Sequence, residues 1–278
     1  GVMVQQTKIG VRIFQYILLI TLTLITLLPL IWMLSASFKL STEVFSNPIR
    51  WIPETFHWDN YLKIWEKVDF ALFTKNSAKL TILVTIIQLF TCSFAAYGFT
   101  KCKFPGRDTL FLCYVATIAI PWQIFMLPQY IMMQKFNLVD SHLGYVLLSS
   151  FAAFGVFLLR QFFLGIPNEL LEAARIDGLS EYGIYFRIVL PLAKPAMATL
   201  AIFTFVNVWN DFMGPMIYFN SESNKTIPLG IRMFVGQYST DYQLIMAASV
   251  VSLIPVIIMY AFCQRYFVQG IASSGLKG

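Results

Sequence analysis

The chain has 278 residues, 58% of them hydrophobic and 12% charged, with a net charge of +6. A soluble domain carries about 25% charged residues, so an ordinary water-soluble fold is excluded. The halved charge and the 26 phenylalanines point to lipid surroundings.

Apolar runs of about 18 residues or more mark membrane helices. Six such runs occur, at 12–36, 77–100, 109–132, 143–164, 197–219 and 243–267. They do not alternate in short segments as barrel strands do. The sequence predicts an all-α, polytopic membrane protein with six transmembrane helices.

The first run follows Lys8 and Arg12 and ends at Ser35-Ala36-Ser37, features shared with signal peptides. Its apolar stretch, Ile13 to Leu34, exceeds the roughly 7–15 residues of a cleavable segment, so an uncleaved anchor is expected. From Ser37 to Asn76 the chain carries Trp51, Trp58, Trp65, Pro48 and Pro53. Gly and Ser are too sparse there for a flexible linker. A small aromatic cap with a short helix near Trp58 to Val68 is predicted.

Pro105-Gly106 marks a tight turn after the second run. The third run holds Pro121 and Pro128 beside Gln123 and Gln129. Proline inside a membrane helix frees a carbonyl that needs another partner, so a kink is expected.

Between the fourth and fifth runs lies a charged segment, 165–195. Asn168 is read as an N-cap, with Leu170, Leu171, Ala174 and Ile176 forming an apolar side. Gly178 suits the left-handed residue that ends a helix. Ser180 can cap a second helix reaching about Val189, and Pro191 is expected to end it. The product is a helix–Gly–helix knuckle in which Ala173 and Ala174 flatten one face and Glu172 lies at its rim. Its mixed charge, with Glu169, Glu172, Asp177 and Glu181 among the basic residues, argues against a helix lying on anionic lipid.

The fifth run contains Thr204, Asn207, Trp209, Asn210 and Asp211, and positions 204, 207 and 211 share a helical face. Such groups within a membrane are costly unless they meet water, another helix or a solute. The amides, carboxylate and indole suit a path or gate for a polar solute. Interhelical hydrogen bonding is the alternative. Gly214-Pro215 is expected to break the helix beyond. In the sixth run, Ala247, Ala248, Ser249 and Ser252 are read as a close-packing interface with a partner. The intervening loop, Asn220 to Tyr242, carries Glu222, Lys225, Arg232, Gln237, Tyr238 and Asp241.

Charge orients this arrangement. Lys8, Arg12, Lys101, Lys103, Arg107, Arg160, Arg175, Arg187, Lys194, Arg265 and Lys277 all fall on one side of the six runs. Five acids share that side: Asp108, Glu169, Glu172, Asp177 and Glu181. The difference equals the whole net charge. Positive flanks mark the cytoplasmic face, so both termini and the knuckle are expected to be cytoplasmic.

No metal or catalytic pattern is found. Cys92, Cys102, Cys113 and Cys263 lack paired spacing, and His57 and His142 have no ligand cluster near them. The closest approach to a phosphate loop, Gly270 to Lys277, has Leu276 between Gly275 and Lys277, so the Walker A spacing fails.

Glu172-Ala173-Ala174, Gly178 and Ile188-x-Leu190-Pro191 stand in the register of the "EAA" loop of ABC importer membrane subunits. Phe154-Gly155, Leu158 to Phe163, Ile166-Pro167, Arg175 to Gly178, Trp209-Asn210 and Gly270 to Gly278 extend the likeness over about residues 12–278. The chain resembles carbohydrate ABC permeases, specifically the second, shorter membrane subunit of maltose-type sugar importers. The resemblance implies an N-terminal helix plus external segment (1–76), a type I permease core of helices 2–6 (77–267, including the coupling loop 166–195) and a cytoplasmic tail (268–278). It implies a multi-pass protein of the bacterial plasma membrane, without catalytic residues or a cofactor of its own. The expected partners are a second permease, two ATPases that carry ATP and Mg, and an extracytoplasmic sugar-binding protein. The solute would be a sugar, a di- or oligosaccharide.

By the same resemblance Glu172, Ala173, Ala174, Arg175, Asp177 and Gly178 would couple to the ATPase. Asn207, Trp209, Asn210 and Asp211 are candidates for the solute path or gate. Glu222, Lys225, Gln237 and Tyr238 would face the binding protein, the alternative being an ordinary solvated loop. Two rival functions are an ion-coupled carrier using Asp211, although no repeat between halves is evident, and a membrane-embedded enzyme.

Overall fold

A computed structural model describes residues 9–236 and 239–275, with side chains described through Gln264. Among the described residues every regular element is helical, apart from one isolated bridge between Val235 and Thr240. The chain packs as two units, Gly1–Val68 with Ile231–Leu253, and Asp69–Gly230 with Ile254–Gly278.

In the first unit, α1 (Ile9–Ser37) is 29 residues long, and its most apolar stretch is not buried by the rest of the chain. At about 1.5 Å per residue it is long enough to span a bilayer. Its end is anchored by polar side chains. Asn60 donates to the carbonyls of Ser37 and Lys39, each at 2.9 Å. Lys39 is fully buried, donates to the Arg50 carbonyl and lies 4.4 Å from the Trp32 ring centre. That cation–π contact, with the carbonyl, compensates its lost hydration. Phe38 packs against Trp58 and Tyr61. The aromatic cap therefore has a packed interior, with α2 (Ser41–Val44) and, close to its predicted place, α3 (Asn60–Lys67). Asp241 is engaged by Lys67 at 2.5 Å.

The second unit is built on α4 (Phe70–Lys101). The third apolar run is not one continuous helix. It divides into α5 (Arg107–Ala116), a tight turn through Ala119, and α6 (Trp122–Lys135), bent by 100°. Ile120 is extended, as a residue before proline prefers, and Pro121 has no N–H to continue the ladder. Pro128, in contrast, stays inside α6. α7 (His142–Ser149) and α8 (Ala153–Leu164) form a second pair, bent by 42°.

Next come α9 (Asn168–Ile176), α10 (Glu181–Ile184), a wide π turn (Tyr185–Val189), α11 (Leu190–Leu192) and α12 (Lys194–Trp209). The stretch Glu181–Leu192 meets α12 at 78°. Pro191 does not end the helix as expected: it sits in the first turn of α11, and the bend falls at Ala193. The π turn just before the proline relaxes the bonding register that proline would otherwise disrupt. α13 (Met213–Tyr218), α14 (Ile227–Arg232) and α15 (Tyr242–Gly275) complete the chain. Among the described residues three helices are long and apolar enough to cross a membrane, and counting each bent pair as one span gives six. Ala247 and Ala248 are fully buried within this chain, which corrects their assignment to a partner interface.

The core of the second unit is the packing of α4, α8 and α12. At Gly155, a Cβ would lie 2.7 Å from Cys92 Sγ and 3.0 Å from Leu200 Cδ1. Only glycine lets the three helices approach so closely. Cys92 is buried and donates to the Ala152 carbonyl, a packing role. Elsewhere Asp140 ties a loop down. Its carboxylate accepts from the Asn220 and Ser221 amides, the Ser221 hydroxyl and the Asn224 side chain. These donors, led by Ser221 and Asn224, lower its pKa to about 2.

Gly155→Val is expected to cost about 1–3 kcal/mol by overpacking, seen as a lower melting temperature of the purified chain in detergent; an unchanged value contradicts this packing. Asp140 is a group with a depressed folded-state pKa, so its stabilisation is present above the unfolded carboxyl value and is lost as pH falls toward about 2. Asp140→Ala should lower the melting temperature at pH 7, and the deficit relative to wild type should shrink in melts at successively lower pH.

Candidate functional site

The knuckle begins where Ile166-Pro167 leads into α9. Pro167, not Asn168, is the capping residue. Asn168 is the first helical residue, and its Oδ1 accepts from Lys101 Nζ at 2.9 Å. Lys101 also donates to the Ile166 carbonyl at 2.7 Å. Gly178 ends α9 with φ of +83°. Its N–H bonds to the Arg175 carbonyl and that of Leu179 to the Ala174 carbonyl, each at 3.0 Å. This is the Schellman pattern, which satisfies the last helical carbonyls. Ser180 then caps α10 by accepting from the Gly183 N–H at 3.2 Å.

The faces of α9 differ from the expected assignment. Leu171 and Ala174 are buried, whereas Leu170 is half-exposed and Ile176 is 86% exposed. Side chains at 171 and 174 lie one helical turn apart and share the inner face. Ala174 therefore packs inward, and Ala173 alone is the exposed alanine, beside exposed Glu172 and Asp177. Arg175 is engaged internally. Its Nε donates to Glu181 Oε1 at 2.7 Å, and Tyr97 of α4 donates to Glu181 Oε2 at 2.5 Å. The Glu181 carboxylate raises the Arg175 pKa further above its ordinary value. Ser93 and Tyr185 hydroxyls meet at 2.6 Å. The knuckle is thus fastened to one end of α4 at Ser93, Tyr97 and Lys101.

Further along the same helix lies a cavity of about 430 Å³. Its polar wall comprises Gln88 of α4, Trp122 and Gln129 of α6, Tyr145 and Ser149 of α7, Asn207 of α12, and Asp211. Phe151 and Tyr218 add aromatic surface. The breaks at Ser149–Phe151 and Asp211 both open onto it. Irregular backbone at membrane depth is tolerated where it lines a cavity. Asp211 lies beyond the end of α12, and the helix breaks before Gly214-Pro215 rather than at it. The Asp211 carboxylate accepts from Tyr145 hydroxyl at 2.7 Å and from the Gly214 N–H at 3.1 Å. A Cβ at Gly214 would fall 2.5 Å from Asp211 Oδ2.

Of the four sequence-derived path residues, Asn207 and Asp211 line the cavity. Trp209 is buried and stacks on Phe205 at 5.8 Å, and the Asn210 side chain donates to the Val206 carbonyl at 2.9 Å. Thr204 turns to Gln88 Oε1 at 2.9 Å. Gln88, Trp122, Tyr145 and Ser149 were not singled out from sequence. A lone amide in an otherwise apolar stretch was the available signal for Gln88. Of the loop candidates, Glu222 is exposed and the Lys225 carbonyl accepts from Asn76 at 2.9 Å. Gln237 and Tyr238 lie outside the described residues.

Residues 88–273 match the family described as "Binding-protein-dependent transport system inner membrane component". The arabinooligosaccharides transport system permease protein AraQ of Halalkalibacterium halodurans is 36% identical over 91% of this chain and 92% of its own. The sn-glycerol-3-phosphate transport system permease protein UgpE of Yersinia pestis is 32% identical over 97% and 99%. A solved bacterial ABC transporter involved in the import of the acidic polysaccharide alginate has a chain of the same fold. Its TM-score is 0.79 at 24% identity, covering 94% of this chain and 99% of that one. A family match over most of the length, relatives aligned end to end and a shared multi-helix fold lead to one conclusion. The chain belongs to the binding-protein-dependent transport system inner membrane components, the multi-pass, non-catalytic permease subunits of ABC transporters.

Proposed function

We propose that the chain is a permease subunit of an ATP-driven, binding-protein-dependent importer of di- or oligosaccharides, supplying half of the translocation path. Its partners are a second permease, two ATPase subunits that hold ATP and Mg, and an extracytoplasmic sugar-binding protein. AraQ's printed role with arabinooligosaccharides supports the solute class. A neighbouring fold, an alginate ABC transporter solved with its pentasaccharide-bound periplasmic protein, supports the last partner. The charge distribution supports cytoplasmic termini and a cytoplasmic knuckle. Residues 77–267 form the permease core in this reading, after an N-terminal segment and before a tail at 268–278.

The observation that carries the proposal is the outward face of the knuckle. Glu172, Ala173 and Ile176 project from α9, and Ile176 is 86% exposed. A bare isoleucine beside a small alanine and a carboxylate suits a protein cleft. Ala174 holds that face in shape by burial, Arg175 through its pair with Glu181, and Asp177 and Gly178 by closing the helix. ATPase closure would pull the knuckle, and the tethers at Tyr97 and Lys101 would carry the pull to α4. α12 follows through the short, buried connection at Ala193. Both helices wall the cavity, so its access changes as they move, an alternating-access cycle biased from outside the chain. Glu222 and Lys225, with Gln237 and Tyr238, are proposed to face the binding protein.

Glu172→Lys removes the carboxylate from the projecting face without touching the core. In the assembled transporter, sugar uptake should fall by about tenfold or more, equivalent to about 1.4 kcal/mol of lost coupling, with unchanged membrane abundance. Gly178→Val places a β-branched residue at positive φ, costing about 1–2 kcal/mol locally, and should also uncouple uptake from ATP hydrolysis. Normal uptake by both variants at normal abundance defeats the coupling role.

A further inference from the structure

We propose that a second cavity, in the aromatic cap at the end of α1, is a headgroup site for a zwitterionic phospholipid that carries a phosphate and a primary ammonium. The inference goes beyond the transport role and does not depend on it. The cavity measures about 200 Å³, and its wall includes Lys39, Glu43, Asn47, Arg50, Ile52 and Glu54. That is below the roughly 300–1,000 Å³ of ordinary small-molecule sites, so it suits a headgroup better than a sugar chain. Its position points the same way. α1 is apolar and ends at Ser37, and Lys39 lies just beyond it. The cavity therefore sits where the chain leaves hydrocarbon, at the depth of phospholipid headgroups. Trp32 and Trp51, with ring centres 5.5 Å apart, are of the residue type enriched at that depth. Ile49, Trp51 and Ile52 flank Arg50 in the chain and are exposed, which offers apolar surface to the first carbons of acyl chains.

Charge selects the headgroup. Two cations, Lys39 and Arg50, and two carboxylates, Glu43 and Glu54, balance in the wall. The Lys39 ammonium is buried and has three donors to place. Among the described residues its one hydrogen-bond acceptor is the Arg50 carbonyl. A buried ammonium with donors to spare gains from an anionic oxygen. Arg50 pairs with Glu54 through Nη1, and a guanidinium has further N–H groups that match phosphate oxygens. The carboxylates of Glu43 and Glu54 can accept from a primary ammonium. A quaternary ammonium has no N–H to give them, and the Trp32 face that would attract it is taken by Lys39 at 4.4 Å. An anionic headgroup without an ammonium meets both carboxylates and brings no cation for them.

The test uses the complete transporter, delipidated in detergent micelles, with phosphatidylethanolamine that carries a photoreactive diazirine at the top of one acyl chain. Cross-linked peptides are mapped by mass spectrometry after illumination. Cross-links within residues 45–54 are expected. Unlabelled phosphatidylethanolamine should suppress them at about tenfold lower concentration than phosphatidylcholine or phosphatidylglycerol of matched chains. Arg50→Gln should weaken the cross-link severalfold, and Glu54→Gln should bring phosphatidylethanolamine close to phosphatidylcholine as a competitor. Both side chains are more than half exposed, so the melting temperature should hold in each variant. The wild-type competition decides by itself if a variant assembles poorly. Absence of cross-links in that segment, or equal competition by either other lipid, overturns the proposal. Equal competition by water-soluble glycerophosphoethanolamine overturns it in favour of capture of a free headgroup. Unchanged cross-linking in Arg50→Gln, with weakened docking of the binding protein, overturns it in favour of a protein contact.

Discussion

The second unit depends on α4 satisfying backbone that its neighbours leave open. Where α7 gives way to α8, the carbonyls of Ser149, Ser150 and Ala152 lie at or beside the break. Gln88 donates to the first at 2.6 Å, Thr91 to the second at 2.7 Å, and Cys92 to the third at 3.5 Å. All three donors stand on α4. Unsatisfied carbonyls in hydrocarbon would cost several kcal/mol each. The bent pair is therefore stable only against this helix. Gln88 acts twice, because its other amide atom accepts from Thr204 of α12.

The same helix binds the knuckle at its far end. Tyr97 and Lys101 engage Glu181, Asn168 and the Ile166 carbonyl, whereas Gln88 reaches the cavity. Thirteen positions separate Gln88 from Lys101 on an unbroken helix, about 20 Å at 1.5 Å per residue. A helix of that length moves as a stiff rod. The knuckle and the cavity thus share one rigid element, so in the proposed cycle a displacement of one would reach the other through a contiguous packed connection.

Much of this was legible in the sequence. Run length and low charge content pointed to the helical membrane class, and Gly178 with Ser180 to the knuckle's closure, because both follow from local chemistry. The inward turn of Ala174 was not legible. Two adjacent alanines look alike in a sequence, and only packing against the α4 cluster distinguishes them. Trp209 misled for the same reason: indole suits a sugar ring or a neighbouring Phe205 equally well. The cavity was the least accessible feature, since Gln88, Trp122, Tyr145 and Asn207 come from four separate helices. Their convergence depends on bends at Pro121 and Ser150 whose angles no local rule supplies.

The joint between knuckle and α12 argues for rigid transmission. A bend of 78° at Ala193 could serve as a free hinge. Yet Ala193 is fully buried, as are Tyr185 and Val189 just before it. The Ala193 N–H is shared between the carbonyls of Val189 and Leu190. Tyr185 stacks on Phe94 at 4.3 Å and touches Ser93 through its hydroxyl. Opening this joint would strip aromatic area from α4 and expose hydrogen-bonded polar atoms. The bent segment is therefore a bracket set against α4. In the proposed cycle, a force on α9 would be delivered to α12 and α4 together rather than dissipated at the bend.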